Sequence, residues 1–98
     1  MDYADHVKSA MGMKINTDAL IVERGKTHGD YSVHAKVAQD IEAVIEIYAT
    51  PKHNHMMRES LHMIAHKIGR IMAGDPDFRD HWDDIAGYAK LVADRCTK

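Results

Sequence analysis

Apolar residues recur at the spacing of an α-helix through most of this chain, and no stretch alternates as a half-buried strand would. Val33, Val37, Ile41, Val44, Ile45 and Tyr48 return every three or four residues. Met57, Leu61, Ile64, Ile68, Ile71 and Met72 do the same, and so do Trp82, Ile85, Ala89, Val92 and Cys96. Stripes of this period predict an all-α fold, a small helical bundle of three long helices plus short N-terminal helices.

The punctuation between the stripes sets their bounds. The long helices are expected over Tyr31 to Ala49, about His55 to Ala73, and from an Asp77 or Asp80 cap to about Thr97. Thr50-Pro51-Lys52-His53-Asn54 reads as a loop, because a proline disfavours helix at the residue before it. Gly74 and Pro76 stop the third stretch. Upstream, Asp2 to Met11 reads as a short helix with Tyr3, Val7 and Met11 on one side. Asn16 and Thr17 offer N-caps to a second short helix over Asp18 to Arg24, which Gly25 is expected to end.

A chain of 98 residues is read as a single domain over 1–98, with 1–16 a mobile N-terminal arm or one that orders on a partner subunit. So short a chain buries little surface alone, which points to a homo-oligomer, a dimer or larger. The formal net charge of -2 gives nucleic acid no polycation to grip. No apolar run approaches the ~20 residues that span a bilayer. MDYADHVKSAMG carries acids and no apolar centre, unlike a secretory signal. The lone Cys96 excludes an intrachain disulfide and suits a reducing cytoplasm. It reads as a small core residue.

Candidate functional residues gather around the Gly74-Asp75-Pro76-Asp77 corner. Lys67 and Arg70 on the preceding helix are cations suited to phosphate. Asp80, Asp84 and Tyr88 follow one another at intervals of four, so they line one flank of the last helix. Asp80 and Asp84, one turn apart, form a carboxylate pair that a hard cation such as magnesium accepts alongside phosphate oxygens. Acids in a first turn also satisfy free amides and the helix dipole, which accounts for Asp77, Asp80 and Asp83 without a ligand. Lys67 and Arg70 have a plain alternative too, as ion-pair partners of those aspartates.

Gly25-Lys26-Thr27-His28-Gly29-Asp30 is the other unusual segment. Lys26, His28 and the loop amides suit an anion, while the plain reading is a turn with Asp30 as an N-cap. It does not follow the P-loop pattern. Eight histidines also raise a zinc reading. His62 and His66 stand at i, i+4, and His34 or His81 would complete the shell. Most surface histidines bind nothing.

Three segments carry a resemblance: Glu23-Arg24-Gly25-Lys26-Thr27-His28-Gly29-Asp30-Tyr31, His66-Lys67-Ile68-Gly69-Arg70, and Asp80-His81-Trp82-Asp83-Asp84-Ile85-Ala86-Gly87-Tyr88-Ala89. In that order they resemble a family of small phage and prophage proteins of unassigned function, over about Asp18 to Arg95. More distantly, the last segment resembles MazG-like all-α nucleoside triphosphate pyrophosphohydrolases, whose late motif is E-x-x-D on a helix. Asp84 to Ala89 looks like its second half, with His81 where the glutamate would stand. An earlier E-E-x-x-E motif is missing; Glu42 and Glu46 are the nearest acids, and their helical positions turn them from the core.

The resemblance implies a cytoplasmic, nucleotide-binding protein of a phage-infected or lysogenic bacterium, with magnesium-dependent pyrophosphohydrolase activity as one expectation. Asp84 and Asp80 would then hold magnesium as the catalytic pair. Lys67 and Arg70 would neutralise phosphate, Tyr88 would orient the ligand, and Lys26 to Asp30 would close over it. Two rivals stand beside this: a non-catalytic protein that sequesters a nucleotide or nucleotide signal, and a helical protein-interaction module.

Overall fold

The computed structural model describes residues 17–98; the predicted helix at Asp2 to Met11 and the expected arm lie outside them. Among the described residues every regular element is an α-helix: α1 (Thr17–His28), α2 (Tyr31–Tyr48), α3 (His55–Ala73) and α4 (Arg79–Ala93). The bounds predicted for α2 and α3 hold to within a residue. None of the four is long and apolar enough to cross a membrane.

The first helix is longer than expected, because Gly25 does not end it. A β-carbon at Gly25 would meet open space, so nothing there demands glycine and the turns run on to His28. The stop is Gly29, at φ 75°, whose amide reaches back to the Gly25 carbonyl at 3.0 Å. That left-handed residue ends the helix as a C′ glycine does. A side chain is excluded there for a second reason: a β-carbon would lie 1.9 Å from the Ala73 carbonyl oxygen.

Asp30 opens α2 as an N-cap, its Oδ1 accepting from the Ser32 amide at 2.7 Å. Asn54 does the same for α3, accepting from the Met57 amide at 3.0 Å. For α4 neither Asp77 nor Asp80 is the cap. Phe78 holds that position without a side-chain bond, and Asp80 sits inside the first turn. The helix stops at Ala93 rather than Thr97.

The helices lie in an open arrangement. α3 is central, with α2 packed on one side and α4 on the other, and the backbones of α2 and α4 do not approach each other. α1 rests on α2 and α3 near the α3–α4 corner. There the Thr27 carbonyl accepts from the Asp75 amide at 3.0 Å. Gly69 lets α2 and α3 come close, since a β-carbon there would stand 2.6 Å from the His34 ring.

The buried faces are rotated from the apolar stripes. His34 and Ala38 are buried on α2, and Ser60, Ala65, Lys67 and Gly69 on α3. On α4 the buried residue is His81, 1% exposed, followed inward by half-buried Ile85, Tyr88 and Val92. Trp82 was expected inside and is 53% exposed, its indole N–H donating to the Pro76 carbonyl at 2.8 Å. Ala89 and Cys96 are exposed as well. A stripe of apolar residues fixes a helix's period. Which edge of it is covered depends on where the neighbouring helix lands.

Candidate functional site

Two cations of α3 define the site. Lys67 points along the α4 side and is only 8% exposed; its Nζ meets Asp84 Oδ2 at 3.0 Å. This joins one predicted phosphate ligand to one predicted metal ligand, in the ion-pair form. Arg70 lies one turn on. Its Nε is buried, and among the described residues it has no hydrogen-bond partner and no carboxylate in ion-pair reach. Burying a guanidinium N–H without an acceptor is costly, so this atom marks a place where an anion would be stabilised.

Histidines surround these cations. His81 Nε2 donates to the Thr27 carbonyl at 3.0 Å, which anchors α4 to the end of α1. The His28 ring stands edge-on to His81 at 4.9 Å, and Phe78 packs against His81 at 5.0 Å. Thr27 Oγ1 and His28 Nδ1 share a hydrogen bond of 2.6 Å. On the α2 side, His34 Nε2 and His66 Nδ1 are 3.4 Å apart, and the Tyr31 ring stands edge-on to His34 at 5.6 Å.

Burial holds His28 and His34 below the usual imidazole range, and the Arg70 guanidinium is the next cause for both. The Lys67 ammonium acts on each ring in the same sense. This part of α3 thus carries two cations, Lys67 and Arg70, whose field reaches His28 of α1 and His34 of α2. Burial and these cations disfavour the protonated forms of His28 and His34.

The other predicted residues are distributed as follows. His28 is in the cluster. Tyr88 is half-buried on the inward row of α4, one turn from Asp84. Lys26 is not brought in; it pairs with Glu23 at 3.0 Å on the exposed side of α1. Asp30 is spent on its N-cap, and the Ser32 hydroxyl and amide hold its carboxyl below the usual carboxylate range. Lys26 to Asp30 is thus helix end and cap, not a free loop. Asp80 is exposed, and Asp83 pairs with Arg79 at 3.1 Å on the surface.

Glu42 and Glu46 differ from their expected orientation. Both face α3: Glu42 meets His66 Nε2 at 3.1 Å, and Glu46 meets His62 Nε2 at 2.8 Å and Arg58. The i, i+4 histidines proposed for zinc thus each face a carboxylate of α2. Among the described residues no three His, Cys, Asp or Glu side chains converge as a metal-binding group.

Sequence reasoning did not place His34 and His81 beside the two cations; it put both in the zinc reading, and His81 also where the glutamate of the E-x-x-D motif would stand. The available signal was Gly69, whose missing side chain is what admits the His34 ring. The chain matches no protein-family model, no curated protein and no solved structure.

Proposed function

We propose that this protein binds a phosphorylated small molecule of the nucleotide class at the Lys67–Arg70 part of α3. The observation that carries the reading is the buried Nε of Arg70, without a hydrogen-bond partner among the described residues, one turn along α3 from buried Lys67. Arg70 offers a fixed fork of donors to phosphate oxygens. Lys67 adds a point charge that Asp84 holds in place until the ligand displaces it. Burial and the Arg70 guanidinium disfavour protonation of His28 and His34, and a bound dianion would favour it. Tyr88 offers a ring beside Asp84 for the remainder of the ligand. The resemblance to all-α nucleoside triphosphate pyrophosphohydrolases and to small phage proteins narrows phosphate to nucleotide, in the setting of a phage or prophage.

Binding without turnover fits the residues best. The carboxylates that would have to gather around a metal are dispersed: Glu42 and Glu46 are engaged with histidines and Arg58, and Asp84 with Lys67. A hydrolase remains the second reading, because Asp84 is half-exposed and paired with Lys67. Magnesium would arrive on the ligand's phosphates and take Asp84 and Asp80 as its protein ligands.

Calorimetry with pyrophosphate and nucleoside triphosphates, in magnesium and in chelator, tests both readings. Tight binding in chelator, with the ligand recovered unchanged after heat denaturation, is the expected result. Release of monophosphate and pyrophosphate only with magnesium would establish the hydrolase. If Arg70→Ala leaves every affinity unchanged, the site is not a phosphate site, and a protein-interaction module takes its place.

A further inference from the structure

Two carboxylates of α2 face two histidines of α3, and the two pairs are not alike. Glu46 meets His62 and also Arg58, so its charge is shared with a permanent cation. Glu42 Oε1 meets His66 Nε2 at 3.1 Å, and the other nitrogen of that ring, Nδ1, stands 3.4 Å from His34 Nε2. Carboxylate, imidazole and imidazole thus form one line from α2 to α3 and back, ending on a ring that is 7% exposed. The protons in this line follow by elimination. A carboxylate only accepts, and a neutral imidazole has one N–H and one lone pair. His66 therefore donates from Nε2 to Glu42 and keeps its lone pair on Nδ1. That lone pair takes the N–H of His34 Nε2, so the lone pair left over belongs to His34 Nδ1. Among the described residues His34 Nδ1 makes no hydrogen bond.

A proton added to the line has two rings to choose between. At His34 burial opposes the charged form first, then Arg70, His66 and Lys67 of α3, then His81 of α4. The His66 side chain is 44% exposed and has the Glu42 carboxylate at 3.1 Å. Water and an opposite charge are better surroundings for an imidazolium than a buried place beside cations. Both rings cannot hold a proton's charge together, because like charges 3.4 Å apart oppose each other.

We infer that Glu42, His66 and His34 form a proton relay, in which acid charges His66 and turns buried His34 from its Nε2–H to its Nδ1–H tautomer. His34 Nδ1 takes up the proton, the Nε2 proton of His34 crosses to His66 Nδ1, and His66 keeps its Nε2–H towards Glu42. The product is an imidazolium at His66 beside the Glu42 carboxylate, with His34 neutral. Nδ1 of His34 then donates where it accepted before, although the ring has gained no charge. The relay is a pH-sensitive switch that reverses the hydrogen-bonding sense of a buried atom. It does not rest on the phosphate reading, since Lys67 and Arg70 take no part in the transfer.

The test is NMR of the histidine ring nitrogens in the isotope-labelled full chain, followed across the imidazole range of pH, which distinguishes a protonated nitrogen from a bare one. Above the transition both rings are expected to carry their proton on Nε2. Below it His66 should be protonated on both nitrogens and His34 on Nδ1 alone, with one midpoint shared by the two rings. A His34 that keeps its Nε2 proton throughout, or that becomes charged while His66 stays neutral, overturns the inference. Glu42→Gln leaves an acceptor for His66 Nε2 and removes the charge, so the shared midpoint should move to lower pH. Glu46→Gln, one turn along α2 and engaged with His62 and Arg58, should leave that midpoint in place. Equal movement in the two variants would show that Glu42 acts only through the general field of α2 and is no member of a relay.

Discussion

Lys67 Nζ lies 3.0 Å from Asp84 Oδ2, an ion pair that ties α3 to α4. Its two ends are unequal. The Lys67 side chain is 10% exposed and that of Asp84 47%, so removing the aspartate strands a buried charge, whereas removing the lysine leaves a carboxylate that water can solvate. Asp84→Asn is expected to destabilise the fold by about 1–3 kcal/mol. Lys67→Met, which keeps the packed stem, should cost about 1 kcal/mol or less. Asp83→Asn, losing a surface pair with Arg79, should stay within about 0.5 kcal/mol. Urea unfolding measures all three. Equal losses for Asp84→Asn and Asp83→Asn would show that Asp84 does not stabilise Lys67.

Anion affinity separates the cations by position. Arg70→Ala and Lys67→Ala should each weaken pyrophosphate binding by about one to two decades. Arg70→Lys should recover only part of the loss, because an ammonium lacks the planar fork. Lys26→Ala should bind as the unaltered protein does, since Lys26 is paired with Glu23 on the exposed side of α1. Titration calorimetry decides, and a loss from Lys26→Ala matching that from Arg70→Ala would return the site to the end of α1.

Acid should weaken the fold near the imidazole range. His28 and His34 are held below 6.5 when folded, first by burial and then by Arg70. Between the folded and unfolded values the unfolded chain binds more protons, so stability rises with pH there. The contribution is complete above pH 6.5 and declines as pH falls below it. A bound anion reverses the balance by favouring the protonated rings. Sulfate, a dianion throughout this range, should therefore bind more tightly as pH falls and raise the Tm most at the acid end. A Tm increment from sulfate that does not depend on pH would remove His28 and His34 from the site.

Two glycines inside helices should respond oppositely to alanine. At Gly87 a β-carbon meets nothing within 4 Å, so Gly87→Ala should stabilise the protein by about 0.5–1 kcal/mol through helix propensity. At Gly69 the β-carbon would press on the His34 ring at 2.6 Å and on its backbone oxygen at 2.7 Å. Gly69→Ala should cost about 1–3 kcal/mol and weaken anion binding by moving His34. Thermal unfolding with a sulfate titration reads both effects.

The cap of α3 gives a calibration that no ligand affects. Asn54 accepts from the Met57 amide at 3.0 Å, so Asn54→Ala should cost about 1 kcal/mol with anion affinity unchanged. A change in affinity would mean that the α2–α3 loop communicates with the site.

Helix period and punctuation are local properties, and α2 and α3 could be read from them almost to the residue. Pro51 ends one, Asn54 caps the next and Gly74 closes it, each through backbone geometry that needs no distant contact. Lys67, Arg70, His28, Asp84 and Tyr88 were legible as candidates because their chemistry and spacing lie in the chain itself. The Asp30 cap was legible too, but the end of the first helix was not, because two glycines stand nearby and only contact with Ala73 decides which one ends α1.

The sequence by itself determined an all-helical chain, its helix period and the charged residues at the α3–α4 corner. The tertiary structure alone decided which edge of each stripe is covered. An apolar stripe is wider than the surface one neighbouring helix can cover. The crossing at Gly69 therefore turned His34 inward and left Val44 and Ile47 exposed. It also decided that Glu42 and Glu46 face histidines and that Arg70 Nε has no partner among the described residues. A side chain's partner depends on where a helix distant in sequence comes to rest, and no local spacing contains that information.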